Sequence, residues 1–339
     1  MSIGFKHGLT FFALVFAASW LALAAPIPQT GQSAPPVLSF PVKCQIGQSC
    51  LIQKLVDHDP TNQRRDYRCG NLTTDGHDGV DIRLRTMDDM RAGYAVLAAA
   101  SGKVIRTRDG EPDVSSRERN DLKGKDAGNG VVIDNGDGWE TQYSHLQQGS
   151  VSVKPGQPIV AGQQLGLIGM SGNAEFPHLH FTVRHRGRAI DPFTGSAQGS
   201  SCSATAPTTG IWLPRYGREL GYVPTSIVSL GLASNVPPKS VAQRINGQPL
   251  GGSQAPIILW ADVIGAKPGD VQEFAISGPD GKSVHVQQAA VADGGLSWFA
   301  YSGKRPPAAG WPTGKYSGRY VIRRGGVVVA TGDVSSIVN

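Results

Sequence analysis

The sequence predicts an all-β protein with two domains, an antiparallel sheet followed by a smaller β-sandwich-like unit. The chain has 339 residues, enough for two separate cores. It contains 44 glycines and 23 prolines, which favours many turns and short strands. No segment has the sustained 3.6-residue apolar period of a helix, whereas short alternating segments recur between Gly, Pro, Asn and Asp turns.

The N-terminus predicts a signal peptide over residues 1–24. Lys6 precedes the apolar stretch "LTFFALVFAASWLAL", and an A-x-A sequence ends at Ala24. We therefore expect cleavage after Ala24 and a protein that is periplasmic or secreted. A membrane anchor is the alternative, but the apolar run is short and no cysteine follows it to take a lipid. No later segment is apolar enough to span a bilayer, and residues 25–40, rich in Pro, Gln and Ser, predict a linker.

The formal net charge of +6 suits an anionic partner outside the membrane, such as a cell-wall polymer. No stacked-aromatic or helix-turn-helix pattern indicates nucleic acid as a partner. The oligomeric state stays open.

The first domain is expected over residues 41–203 and the second over residues 204–339. In the first, "GNGVVIDNGDGWETQYSHL" predicts a hairpin with Asn-Gly and Asp-Gly turns. The polar segment "PDVSSRERNDLKGKDAGNG" predicts an exposed insertion. The composition shifts to small polar residues at "TGSAQGSSCSATAPTTG", which marks the boundary. Beyond it, segments such as "APIILWADV" and "GRYVIRRGGVVVATG" predict sandwich strands.

Four cysteines in an exported chain predict two disulfides: Cys44, Cys50, Cys69 and Cys202. The paired C-x2-C spacing of a cysteine-only zinc site is absent. Three pairings are possible. We favour Cys50 with Cys69 and Cys44 with Cys202, because the second pair would join the start of the domain to its end.

A metal site is the most specific feature that the residues predict. In "TTDGHDGVDIRL", His77 and Asp81 stand between glycines, which favours a turn leading into a strand over a helix. In "PHLHFTVR", the period of two puts His178 and His180 on one strand face. Catalytic zinc typically has three His, Asp or Glu ligands and an open position for water. His77, Asp81 and one of the paired histidines supply that set.

The remaining histidine of the pair and His145 would then be free for proton transfer. His145 lies in "ETQYSHL", where we expect Tyr143 and His145 to share a strand face. Each motif alone is more often a turn residue, a solvated strand face or a core histidine. Their combination in one domain of an exported protein favours a site.

The segments "HDGVD", "YSHL" and "PHLHF" resemble the H-x-G-x-D, Y-x-H-L and H-L-H-F motifs of the M23 metallopeptidases, the LytM/lysostaphin-like family. The intervening "VKPGQPIVAGQQLGLIGMSGN" is similar to the Gly-rich hairpin region of that family, and the resemblance covers about residues 70–193. It implies an antiparallel β-sheet with a substrate groove walled by loops. It also implies hydrolysis of peptide cross-links in bacterial peptidoglycan by a Zn²⁺-activated water.

The same resemblance implies the role of each residue. His77, Asp81 and His180 correspond to the metal ligands of the family, and His145 and His178 correspond to its catalytic histidines. Zinc lowers the pKa of bound water to about 7, which supplies a nucleophile at neutral pH.

Other polar residues in the chain are expected to have no role in catalysis. Ser171 in "GMSGN" departs from G-x-S-x-G, so we interpret it as part of a Gly turn. Three further histidines with polar or charged neighbours are expected to be exposed: His58, His185 and His285. A basic cluster is expected on a solvated edge, with contact to acidic wall peptide as the alternative: Arg184, Arg186 and Arg188.

Two alternative functions remain at this level. Some members of the family have lost metal ligands and act as wall-binding scaffolds or as activators of other hydrolases. This chain keeps all five family positions, which favours an enzyme. An exported zinc protease that acts on Gly-rich proteins stays open.

Overall fold

The structure is a computed structural model that describes residues 1–4, 34–207, 210–240 and 249–339. Pro35–Asn339 form one compact unit. The predicted signal peptide and linker fall largely on residues 5–33, outside the described residues. Within the described ranges, no helix has both the length and the apolar character needed to cross a membrane.

The all-β prediction is confirmed. The described residues contain a single short α-helix, α1 (Met87–Ala92), in which the Thr86 hydroxyl accepts from the Asp89 backbone N–H at 3.0 Å. The strands of the first region are β1 (Cys50–Lys54), β2 (Val80–Leu84), β3 (Ala95–Leu97), β4 (Gly102–Arg108), β5 (Asn129–Gly136), β6 (Trp139–Leu146), β7 (Pro158–Ile159), β8 (Gln164–Leu167), β9 (His178–His185) and β10 (Arg188–Ile190). Those of the second are β11 (Ser226–Ala233), β12 (Ile257–Ile264), β13 (Val271–Ser277), β14 (Ser283–Ala290), β15 (Trp298–Lys304), β16 (Gly314–Arg324) and β17 (Val327–Val338).

The main sheet of the first region has the order β1-β2-β9-β6-β5-β4-β7, and β10 pairs with β9. Each pair of neighbours in it is antiparallel. Strand β9 lies between β2 and β6, and its alternate residues Leu179, Phe181 and Val183 are buried in the core. This burial fixes the register, so the intervening residues of β9 must face the opposite side of the sheet.

The second region has the two layers of a β-sandwich. One sheet has the order β11-β12-β15 and the other has the order β14-β13-β16-β17. Alternate residues of β12 and β13, including Leu259, Val263 and Phe274, bury a shared apolar core between the sheets. The opposite face of β12 carries Asp262, which is also fully buried. That face therefore packs against another part of the chain.

The end of the predicted linker is part of the core, so its assignment as a linker is wrong from Leu38 onward. Leu38 and Phe40 are buried. The Leu38 backbone N–H donates to the Ile211 carbonyl, and the Leu38 carbonyl accepts from Leu213, both at 2.8 Å. The rings of Phe40 and Trp212 are 6.2 Å apart. Burial of the apolar side chains that follow the Pro-rich stretch is favourable, so these residues pack against the domain instead of forming a solvated linker.

The prediction of two disulfides is confirmed, but the favoured pairing is wrong. The bonds join Cys44 to Cys50 and Cys69 to Cys202. A tight turn, in which the Gly47 N–H donates to the Cys50 carbonyl at 2.8 Å, brings the first pair together. For the second pair, the Ser203 backbone N–H donates to the Tyr67 carbonyl at 3.0 Å, which holds the two segments side by side.

The insertion at residues 112–130 makes more contacts with the domain than predicted. Arg117 and Glu118 are exposed as expected, but Ser115 is buried. The Asp113 carboxylate accepts from the backbone N–H groups of Met170 at 2.7 Å and Gln148 at 2.9 Å. One acid thus anchors the insertion to the segments that precede and follow the Gly-rich hairpin. The polar composition did not predict these contacts, because the Asp113 side chain bonds to backbone groups whose positions depend on the fold.

Candidate metal and catalytic site

Two neighbouring strands bring His77, Asp81 and His180 together. Asp81 on β2 is the cross-strand partner of His180 on β9, and His77 lies in the turn that enters β2. Asp81 Oδ1 is 2.9 Å from His180 Nδ1 and 3.1 Å from His77 Nε2. Their candidate ligand atoms all lie within 4.8 Å of one another. The structure therefore assembles the three predicted ligands at one point.

The surroundings of Gly79 explain why the H-x-G-x-D pattern has a glycine at this position. A Cβ atom at this position would lie 2.6 Å from the Phe181 carbonyl oxygen and 2.8 Å from the His180 ring. Both distances are closer than non-bonded atoms tolerate. Only glycine lets the turn approach β9 closely enough to place His77 beside His180.

Three of the four histidines in the site are oriented by backbone carbonyls. In each, Nδ1 faces a carbonyl oxygen, which can only accept, so Nδ1 carries a proton. In His145 and His178, whose rings burial keeps neutral, Nε2 therefore keeps its lone pair. The pairs are His77 with Leu55 at 2.8 Å, His145 with Ser171 at 2.7 Å, and His178 with Phe176 at 2.9 Å. These carbonyls are the orienting partners that the sequence did not reveal.

His180 is oriented in the opposite way, by a carboxylate. Its Nε2 lies 3.0 Å from Asp78 Oδ1, so Nδ1 is directed to Asp81. Asp78 Oδ2 in turn accepts from Arg184 Nη2 at 2.9 Å, and Arg184 Nη1 donates to Gln142 at 2.7 Å. The expectation that Arg184 lies on a solvated edge is wrong. The period of two that groups His178 with His180 also places Arg184 on the site face and was the available signal.

Arg186 and Arg188, the other members of the basic cluster, are exposed as expected. Asp78 and Arg184 were both missed as parts of the site. Asp78 stands between the two motif positions His77 and Gly79, where the family pattern specifies no residue.

His145 reaches the site because β6 contains a bulge. Ser144 pairs with Gly130 and Leu146 pairs with Asn129, so His145 is an extra residue between the two pairs. Its φ of 62° lies in the left-handed region. The bulge turns the ring to the opposite side from Tyr143, whose ring packs against Phe181 in the core at 5.3 Å. The prediction that Tyr143 and His145 share a face is therefore wrong.

The five predicted side chains form one cluster. The ring centres of His145 and His178 are 4.6 Å apart, and those of His145 and His180 are 6.0 Å apart. His178 Nε2 lies 3.7 Å from Asp81 Oδ1. Two neutral-ring bases thus flank the His–Asp–His group.

Burial and charge set the protonation of the cluster. Burial lowers the pKa of His178 to about 4 and, with the nearby His178 and His180, holds the pKa of His145 well below its ordinary value. Burial opposes protonation of His180, but hydrogen bonds to Asp78 and Asp81 outweigh it and raise the pKa of His180 to about 9. The carboxylates thus make this end of the site attractive to a cation, whereas His145 and His178 stay neutral.

Asp81 remains ionised despite complete burial. Burial alone would raise the pKa of its carboxyl, but His77, His178 and His180 hold that pKa well below its ordinary value. Lys54, the β1 residue opposite Asp81, was not predicted to take part. Its Nζ lies 3.1 Å from Asp81 Oδ2 and leaves Oδ1 directed at the histidines.

The donor set fits a divalent transition metal. Two imidazole nitrogens and one carboxylate oxygen form a set common in catalytic zinc sites. Tetrahedral ligands about 2 Å from zinc would lie about 3.3 Å from one another. The 2.9 Å and 3.1 Å distances from Asp81 to the two histidines are close to that spacing. These two distances are therefore compatible with ligands that share one ion.

Ser171 is not placed to act as a nucleophile. It is buried, and its hydroxyl donates to the Leu146 carbonyl at 2.7 Å and accepts from the Asn129 N–H at 2.9 Å. Its own carbonyl orients His145.

The three histidines expected to be exposed are buried or half-buried. His58 is buried, with Nε2 2.7 Å from Asp191 and Nδ1 3.0 Å from the Ser200 carbonyl. His185 stacks on Trp139 with ring centres 4.3 Å apart. His285 is half-buried, with Nε2 2.6 Å from the Ser302 hydroxyl. The charged neighbours of His185 did not predict its exposure because side chains alternate in direction along a strand. Asp57, the charged neighbour of His58, is itself buried.

The fold and the site define an all-β domain with a candidate His–Asp–His metal centre. Residues 75–192 match the family model of Peptidase family M23. The predicted resemblance is thereby confirmed.

Three relatives each match about a third of the chain. The cell division protein DipM of Caulobacter vibrioides is 31% identical over 122 residues, which cover 34% of this chain and 17% of DipM. The peptidoglycan DD-endopeptidase ShyA of Vibrio cholerae is 34% identical over 115 residues, covering 34% of this chain and 22% of ShyA. The murein hydrolase activator NlpD of Escherichia coli is 27% identical over 117 residues, covering 34% and 25%. The chain thus spans a quarter or less of the length of these relatives.

Proposed function

We propose that the protein is a zinc-dependent endopeptidase that hydrolyses peptide cross-links of bacterial peptidoglycan. The observation that carries the proposal is the convergence of His77, Asp81 and His180 with two neutral histidines whose Nε2 atoms are unprotonated. The name of ShyA, a peptidoglycan DD-endopeptidase, supports the substrate class.

In this proposal His77 Nε2, Asp81 Oδ1 and His180 Nδ1 hold the zinc ion. When bound, zinc acts as a Lewis acid that makes water nucleophilic near neutral pH. Asp78 holds the proton on His180 Nε2, which keeps Nδ1 available as a ligand. In His77 the Leu55 carbonyl holds the proton on Nδ1, so that Nε2 is the atom that can bind the ion.

His145 and His178 transfer the protons of the reaction. The Nε2 atom of one histidine accepts a proton as water adds to the peptide carbonyl, and a proton returns to the leaving amine as the C–N bond breaks. Both hydrogens of the water end on the leaving nitrogen, so the products are a carboxylate and an ammonium group. Burial keeps both rings neutral before the reaction, so either can accept. Their backbone carbonyl partners hold the rings in place during transfer.

We further propose that the chain is exported, with the signal peptide over residues 1–24 and the peptidase domain over residues 41–203. The two disulfides support an oxidising compartment, periplasmic or secreted. The sandwich-like domain over residues 204–339 would then position the peptidase relative to the wall or to a partner.

A second candidate function is non-enzymatic activation of another hydrolase. The similarity to NlpD, a murein hydrolase activator, favours it. Retention of the complete His–Asp–His group and both additional histidines favours the enzyme.

Purified cross-linked muropeptides separate the two functions. We expect the zinc-loaded protein to convert cross-linked dimers into monomers, with one water added per bond cleaved, as read by mass spectrometry. The variant His180→Ala should leave the dimers intact. Intact dimers with both proteins, together with faster wall lysis when a second hydrolase is added, would favour the activator instead.

A further inference from the structure

The sandwich is joined to the candidate site by a buried ion pair. Asp262 on β12 accepts from Arg83 Nη2 on β2 at 2.9 Å, and both side chains are about 1% exposed or less. Arg83 Nη1 also donates to Gln53 on β1 at 3.0 Å. The guanidinium is therefore fixed by groups from both regions of the chain. Arg83 lies two residues beyond Asp81 on the same face of β2.

Arg83 is adjacent to the proton-transfer machinery. It is the cross-strand partner of His178 in the pairing of β2 with β9. Its guanidinium carbon lies 4.4 Å from the centre of the Phe176 ring, a cation–π distance. The Phe176 ring centre is 4.8 Å from that of His178, and the Phe176 carbonyl accepts from His178 Nδ1 at 2.9 Å. Phe176 thus contacts His178 through both its ring and its backbone.

We propose that Asp262 is a positioning residue for His178, acting through Arg83 and Phe176. The carboxylate holds the guanidinium against the Phe176 ring. The ring then holds the carbonyl that keeps the proton on His178 Nδ1 and leaves Nε2 free. The sandwich is in this way a structural part of the active site. This inference rests on the proton-transfer role proposed above for His178.

Loss of the Asp262 carboxylate is expected to move Arg83 away from Phe176. A buried guanidinium is stabilised by a paired carboxylate, and removal of that partner favours movement of the cation toward water. Movement of Arg83 would remove the cation–π contact from Phe176. A remote change that shifts a catalytic group by about 1 Å can cost about 10²-fold in rate.

Asp270 provides a matched control within the same sandwich. It is also buried, and its carboxylate accepts from Arg324 Nε at 2.9 Å and Nη2 at 2.7 Å. Asp262→Asn and Asp270→Asn therefore remove the same charge from a buried carboxylate that is paired with an arginine, although Arg324 is 27% exposed and Arg83 only 1%. Of the two pairs, only that of Arg83 contacts Phe176.

The test compares the two variants in the full chain. In Asp262→Asn we expect unchanged zinc content, a KM within about twofold, and a kcat lower by about 10- to 100-fold. Asp270→Asn should keep kcat even where its thermal stability falls equally. Combining Asp262→Asn with Phe176→Leu should lower kcat little further than either change alone, because both act on one path. Equal kcat in the wild type and Asp262→Asn would overturn the proposal.

A second measurement does not depend on activity. Long-range ¹H–¹⁵N spectra of the metal-free protein report the tautomer of His178, assigned by comparison with His178→Ala. We expect an Nδ1–H tautomer in the wild type and in Asp270→Asn, and a mixture in Asp262→Asn. If Asp262→Asn does not fold, Phe176→Leu tests the same path with the ion pair kept. An unchanged His178 tautomer in the folded variant would overturn the positioning role, whereas an inactive wild type would instead contradict the proposed enzyme.

Discussion

Asp81 and His180 are cross-strand partners whose Oδ1 and Nδ1 atoms lie 2.9 Å apart, although 99 residues separate them in sequence. The same strand pairing places His178 beside Arg83, two residues from His180 along β9. His180 is therefore the histidine of the H-x-H pair that faces Asp81, the candidate metal ligand, and His178 lies nearer to His145, with ring centres 4.6 Å apart.

The first prediction separates these two roles. His180→Ala should remove zinc, because a three-ligand site has no spare donor. His145→Ala and His178→Ala should each keep nearly full zinc and lose turnover by about 10² or more, the scale of a general acid–base group. Elemental analysis beside muropeptide turnover measures both effects. Zinc kept in His180→Ala but lost in His178→Ala would exchange the assignments.

The second prediction concerns the carboxylate that orients His180. Asp78→Asn should weaken zinc binding by about 10- to 100-fold, because an amide holds the Nε2 proton less strongly than a carboxylate. Asp75→Asn, an identical change at an exposed position in the same turn, is the control. Competition with a calibrated chelator gives the affinities. Equal affinity in both variants would show that Asp78 does not support the ligand.

The third prediction compares how much each disulfide contributes to the free energy of unfolding. Chain entropy assigns about 5 kcal/mol to a bond that spans 133 residues and about 2 kcal/mol to one that spans 6. Replacing Cys69 and Cys202 with Ala should therefore destabilise the protein more than replacing Cys44 and Cys50. Denaturant unfolding of the two double variants measures the difference. The reverse order would mean that native contacts, and not loop closure, dominate.

The fourth prediction is a pH dependence of stability due to His58. Burial opposes its protonation, but the bonds to Asp191 and Ser200 outweigh burial and raise the pKa of His58 above the ordinary 6.5. The folded state therefore binds the proton more tightly than the unfolded chain. The stabilisation is fully present below pH 6.5 and is lost as pH rises through the folded pKa.

Thermal unfolding of the wild type and His58→Gln over a pH series measures this effect. The difference between them should be largest on the acidic side and shrink as the solution becomes alkaline. In an Asp191→Asn background, the same comparison should lose most of its pH dependence. A difference that grows with pH would contradict the sign of the shift.

Strand phase predicted much of the site, since a period of two placed His178 and His180 together and a buried core fixed their direction. It failed at His145, where a bulge in the strand turns the side chain to the opposite face from Tyr143. Strand phase also does not predict contacts between residues that are far apart in sequence. Arg83 and Asp262 are 179 residues apart, and their contact depends on how the sandwich packs on β2. The disulfide pairing failed for the same reason, because Cys69 and Cys202 are joined by loops whose course no local pattern specifies.

In the proposed function, zinc held by His77, Asp81 and His180 is what makes this chain an endopeptidase. The most direct measurement is turnover of a cross-linked muropeptide as zinc is added stepwise to the metal-stripped protein. We predict that turnover rises linearly and stops rising at about one zinc per chain. The isosteric variant Asp81→Asn should show no such rise at the same zinc concentrations. Cleavage by the metal-stripped protein, or an equal response in Asp81→Asn, would contradict the account.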